Sequence, residues 1–159
     1  MNIQELSVGD WVRVISDNVP AKVIGIREAY SGCTEVVAVS DTTQYMLMEE
    51  HREARYRKFD PIPLTPEILE KNGFKLFTEK HYGFIPDNEH PYIWICDIKD
   101  SIKKNDVCIW MFEYRHNWCF HCINHGIGSS NNLGNAYITD VHELQHCLRL
   151  AKIDKEIKL

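Results

Sequence analysis

The feature that most constrains this chain is a series of short β-branched runs, separated by turn residues, over its first third. Gly9-Asp10 precedes Trp11-Val12-Arg13-Val14-Ile15, in which Val12 and Val14 share one face of a strand and Trp11 and Arg13 the other. Asp17-Asn18 supplies a turn, and Pro20 stands where the next run, Ala21-Lys22-Val23-Ile24-Gly25-Ile26, begins. Ser31-Gly32 punctuates, Thr34 to Val39 makes a third strand, and Thr43 to Met48 a fourth. Short strands at near-regular spacing predict a small barrel.

Leu6-Ser7-Val8-Gly9-Asp10-Trp11-Val12-Arg13-Val14 resembles the first strand of SH3-like barrels, which implies a shape and no chemistry. The pattern then breaks. Residues 49–59 are highly charged, and Asp60-Pro61-Ile62-Pro63 is stiffened by two prolines. Thr65-Pro66-Glu67-Ile68-Leu69-Glu70-Lys71-Asn72-Gly73 reads as a complete helix over 65–72. Thr65 is its N-cap, Pro66 takes the first turn where a missing N–H costs nothing, and Gly73 closes the end. Strands are predicted at 74–77, 82–85 and 92–97. A hairpin of 107–114 with 118–123 turns at His116-Asn117, and a Gly/Ser/Asn loop runs from Gly126 to Gly134. A second helix covers 141–150, capped by Thr139 or Asp140. The expected fold is therefore α+β. An N-terminal SH3-like β-barrel fills 1–60, and an α+β domain with an antiparallel sheet and two short helices fills 61–159.

Pro61-Ile62-Pro63-Leu64-Thr65-Pro66-Glu67-Ile68-Leu69-Glu70-Lys71-Asn72-Gly73-Phe74 resembles a linker-helix signature in a family of uncharacterised proteins from gut Bacteroidetes and their phages. Val141-His142-Glu143-Leu144-Gln145-His146-Cys147-Leu148-Arg149-Leu150 resembles the C-terminal helix of the same family. The resemblance implies the two-part layout and a bacterial or prophage origin, and it carries no activity.

With 18 Lys+Arg against 23 Asp+Glu, the chain lacks the positive field of a dedicated duplex-DNA binder. No apolar run approaches the roughly 20 residues of a membrane span, and the first residues carry no export signal, so a cytoplasmic protein with no membrane partner is expected. The 6 cysteines are then read as thiols, since a chain of 159 residues can bury a core without staples.

Five of the 8 histidines lie between His116 and His146, which raises the question of metal. His142-Glu143-Leu144-Gln145-His146 matches H-E-x-x-H, in which two imidazoles one helical turn apart bind zinc and the glutamate acts as general base. The predicted helix satisfies the spacing. Zinc needs a further ligand, however. One zincin continuation would place Gly and His where this chain has Arg149 and Lys152, and only 13 residues follow His146 to supply a later glutamate. That leaves His116, His121 or His125. The alternative is an amphipathic helix docked by Val141, Leu144 and Leu148, with His142 and His146 facing solvent.

Cys119-Phe120-His121-Cys122 has zinc-knuckle spacing but sits in a strand pattern, which sends the two thiols to opposite faces. The Gly126–Gly134 stretch lacks the Gly-Lys-Ser/Thr ending of a phosphate-binding loop. Arg52, Arg55, Arg57 and Lys58, interleaved with Tyr56 and Phe59, form a basic-aromatic patch diluted by Glu49, Glu50 and Glu53. The sequence is read as an accessory or interaction protein without catalysis and without cofactor, its partner an unknown protein docking on the barrel or on the hairpin around Trp110 and Trp118. A zinc-dependent hydrolase at 142–146 and a weak single-stranded nucleic-acid binder are the alternatives.

Overall fold

The computed structural model describes residues 5–28, 33–50, 59–77, 93–100, 105–114, 117–126 and 129–159. The strand expected at 82–85, the basic run 52–58 and the turn residue His116 lie outside them. The fold is α+β: two five-stranded antiparallel sheets and two helices. Contacts within the chain separate it into two units, Met1–Pro63 with Asp140–His142, and Leu64–Thr139 with Glu143–Leu159. Among the described residues, no helix is long and apolar enough to cross a membrane.

In the first unit β1 (Trp11–Val14), β2 (Val19–Glu28), β3 (Cys33–Val39), β4 (Gln44–Glu50) and β5 (Phe59–Asp60) lie in the order β4-β3-β2-β1-β5. Gly9, at φ 94°, allows the turn that lets Asp10 Oδ2 accept from the Ser7 N–H at 2.7 Å, so the buried Asp10 carboxylate is satisfied on entry to β1. Asn18 supplies the left-handed residue of the β1–β2 turn. The Tyr45 hydroxyl donates to Asp17 Oδ2 at 2.7 Å, tying β4 to that turn. Alternation in β1 buries Val12 and Val14, which join Leu6, Ala21, Val23, Val36, Ala38 and Phe59 in one core. A register shift between Val23 and Gly25 turns Ile24 outward. Among the described residues no β4–β5 pairing closes this sheet.

In the second unit α1 (Pro66–Lys71) leads into β6 (Lys75–Phe77), β7 (Ile93–Asp100), β8 (Asn105–Tyr114), β9 (Asn117–Gly126) and β10 (Ser129–Ile138), ordered β10-β9-β8-β7-β6; α2 spans Val141–Leu150 and belongs to this unit from Glu143 on. Thr65 Oγ1 accepts from Ile68 N at 3.4 Å, capping α1, and Glu67 places a negative charge in its first turn. At its other end Gly73, at φ 79°, lets Phe74 N reach Leu69 O at 3.0 Å and Gly73 N reach Glu70 O at 2.9 Å, a Schellman closure. The buried Asn72 carboxamide then clamps the C-terminal tail. Its Nδ2 donates to Ile68 O (2.8 Å) and Lys158 O (2.7 Å), and its Oδ1 accepts from Lys158 N (2.8 Å). Lys71 Nζ donates to Leu159 O alongside.

The register divides the second sheet into two faces. Trp94, Cys96, Ile109, Met111, Phe120, Cys122 and Ile138 share one and are all buried. Cys147 of α2 lies close enough to Cys122, and Lys155 of the tail close enough to Cys96, to shift their pKa values, which sets α2 and the tail over this face. The other face carries Ile93, Ile95 and Cys108, with Phe77, Trp110 and Phe112 packed against them.

The Gly/Ser/Asn stretch is not a connecting loop. From Ser129 on it is the strand β10, paired with β9 as far as Ile138 with a register shift between Asn132 and Gly134, while 127–128 lie outside the described residues. Turn-forming residues outweigh pairing in a local reading, yet a long partner strand such as β9 imposes extended backbone on them.

Candidate functional site

The residues of H-E-x-x-H do lie on a helix. Glu143 bends back over its start, where Oε2 accepts from Thr139 N at 2.6 Å and from Thr139 Oγ1 at 3.1 Å. The glutamate thereby satisfies an N–H just ahead of the helix and places negative charge at its positive end. Arg149 sits in the last turn, where positive charge is favoured. The helix closes through Lys152, at φ 59°, with Ile153 N on Leu148 O and Lys152 N on Arg149 O, both at 2.9 Å.

His142 is buried, at 4% exposure, with its Nδ1 against Asp140 Oδ1. The expectation that it faces solvent is corrected: α2 buries His142 and Gln145 as well as Val141, Leu144 and Leu148, a wider arc than the apolar stripe alone defines. His146 is half-buried. His121, offered as a third zinc ligand, lies on the face of β9 opposite Cys122, and it is Cys122 that Cys147 of α2 acts on. His121 is thus turned away from His146. It stacks on Phe112, ring centroids 5.4 Å apart and planes 15° from parallel, and burial holds its pKa below the ordinary value against a hydrogen bond to Asn135 that raises it. His125 sits on β9 between Asp106 and Ser130, and His116 is outside the described residues. Among the described residues no group of three or more His, Cys, Asp or Glu is arranged to hold a metal ion.

Comparison with known proteins is silent. No family model, curated protein or solved structure matches the chain.

Cys119 and Cys122 point to opposite faces of β9 and are both buried. All six cysteines are free thiols. Burial pushes Cys122 up to about 11, helped by Cys147, and burial with an Asp97 hydrogen bond pushes Cys108 up to about 12. Such thiols are poor nucleophiles and poor metal ligands near neutral pH.

Two docking expectations also change. Trp118 is 8% exposed and donates Nε1–H to Leu64 O at 3.0 Å, so it belongs to the core, on the face opposite Trp110. Phe59 is buried in the first sheet and is not available to stack on a base. The half-buried aromatic patch is the other side of the second sheet, where Trp110 and Phe112 alternate along β8 beside His121, with Phe77 at the edge. The period-two spacing of Trp110 and Phe112 was the available sequence signal. The hairpin partner 118–123 was legible too, but the register that sets His121 opposite Trp110 was not.

Proposed function

We propose that this chain is an accessory or interaction protein that works without catalysis, docking a protein partner on the face formed by Phe77, Trp110, Phe112 and His121. The observation that carries the reading is this half-buried aromatic patch on a sheet face, the composition from which binding hot spots are built. The roles of Glu143 as a cap and of His142 as a buried partner of Asp140 support it, because both residues have structural work. The order β4-β3-β2-β1-β5 supports reading the first unit as an SH3-like barrel. The resemblance of 61–74 and 141–150 to proteins of gut Bacteroidetes and their phages supports a bacterial or prophage setting.

The test is reconstitution with a candidate partner at defined stoichiometry. Trp110→Gln should weaken binding by about tenfold or more, while His146→Ala leaves it unchanged. Binding indifferent to Trp110 would overturn the assignment of the surface.

One observation favours a second reading, a zinc-dependent hydrolase with His142 and His146 as ligands and Glu143 as base. A carboxylate against Nδ1, as Asp140 is against His142, is how metal-bound imidazoles are oriented. That reading requires Glu143 to leave Thr139 and His142 to present its other nitrogen.

A further inference from the structure

The residues that follow α2 carry no helix stop. Ala151-Lys152-Ile153-Asp154-Lys155-Glu156-Ile157-Lys158-Leu159 contains neither glycine nor proline, and Ala151, Lys152, Lys155, Glu156, Lys158 and Leu159 are strong helix formers. Continuing α2 through them needs no new nucleus, because a formed helix grows one bond at a time. It would also set Asp154 and Lys158 one turn apart with the acid first, the favourable order for an ion pair. The chain nevertheless leaves the helix at Lys152, which takes φ 59°. A side chain is strained in that left-handed conformation, and the same closure in α1 is made by Gly73. From Ile153 on the backbone is neither helix nor strand.

What holds this segment off the helix is tertiary. Ile153 and Ile157 are buried, at 8% and 0% exposure. Asn72 binds both the N–H and the C=O of Lys158, and Lys71 Nζ donates to Leu159 O. At about 100° per residue, a continued helix would carry Ile153 and Ile157 on the side opposite Val141, Leu144 and Leu148. Leu150 already lies on that side and is 84% exposed. The two arrangements therefore exclude each other: one buries the isoleucines and strains Lys152, the other relieves Lys152 and exposes the isoleucines.

We propose that residues 151–159 are a releasable strap with two alternative forms, latched to the end of α1 by Asn72 or, once unlatched, continuing α2 as a helix. The latched form is the ground state, because two buried isoleucines and a satisfied carboxamide outweigh one strained residue. The strap shares its sheet face with Cys96, a thiol at 5% exposure, and Lys155 lies close enough to oppose the upward push of burial on its pKa. Release lifts the strap from Cys96 while α2 stays over Cys122, so the latch controls access to one thiol and not the other.

The experiment combines iodoacetamide labelling, read cysteine by cysteine, with carbon chemical shifts of the full chain. Asn72→Ala should speed labelling of Cys96 by about thirtyfold or more, leave Cys122 unchanged relative to global unfolding, and move the shifts of 151–158 toward helical values. Lys152→Gly favours the left-handed turn and weakens the helix, so it should slow Cys96 by about twofold or more. In case Asn72→Ala does not fold, low concentrations of urea give a second reading on the unaltered chain. Labelling of Cys96 should then depend weakly on urea, as a local opening does, and that of Cys122 steeply. A single rate and urea dependence for both thiols would overturn the proposal. So would Asn72→Ala with Cys96 no faster, or with random-coil shifts over 151–158.

Discussion

Asn72→Ala removes the carboxamide that joins the end of α1 to the C-terminal tail, and its cost follows from bonds that can be named. The side chain is 5% exposed and makes three hydrogen bonds, one to Ile68 O and two to the peptide groups of Lys158. Each contributes about 1 kcal/mol net, and a buried group left without its partner costs about 1–3 kcal/mol. Lys158 itself is exposed, so water can replace part of what its peptide groups lose. The expected loss is therefore about 2–3 kcal/mol rather than the upper limit. Urea unfolding followed by tryptophan fluorescence reads that loss, and native-state hydrogen exchange localises it, since the Lys158 amide should exchange much faster. Asn72→Asp separates hydrogen bonding from packing. The introduced carboxylate can still accept from Lys158 N, but it sets an oxygen against two carbonyls. Its folded-state pKa is therefore raised, so the stability it supports is fully present below its unfolded value and lost as pH rises through the folded one. A loss below about 0.5 kcal/mol for Asn72→Ala, with the Lys158 amide no faster, would refute the clamp.

Three further expectations follow from the geometry. Lys152 holds a left-handed conformation that Gly73 takes at no steric cost in α1, so Lys152→Gly should stabilise the chain by about 0.5–1 kcal/mol in the same urea assay. His121 is held below its ordinary pKa by burial, so its stability contribution is present above about pH 6.5 and lost as pH falls through the folded value; His121→Phe should flatten the acid limb of a stability–pH curve. Iodoacetamide at pH 8 should label the half-buried Cys33 well before Cys122 or Cys108, because a thiol at about 11 is ionised to roughly one part in a thousand there. Both raised thiols contribute stability that is complete below about pH 8.5 and lost as pH rises through 11 to 12.

Local signals were legible where neighbours in sequence complete the structure. Thr65, Pro66 and Gly73 define α1 within nine positions, and the alternation of Val12 and Val14 assigns the buried face of β1. What could not be read depends on distant partners. Asn72 meets Lys158 across 86 positions. β10 is extended because β9 pairs with it, against the turn preference of its Asn and Gly residues. The H-E-x-x-H match is the sharpest case: a pattern compatible with catalysis also fits a glutamate that caps its own helix, and only the position of Thr139 separates the two.

The most direct test of that central claim is the zinc content of the untagged chain after zinc has been offered and excess removed, read by plasma mass spectrometry. With Glu143 engaged by Thr139 and His121 turned from His146, the account predicts less than about a tenth of an equivalent per chain. One zinc per chain, lost in both His142→Ala and His146→Ala, would contradict it and make α2 the centre of a hydrolase.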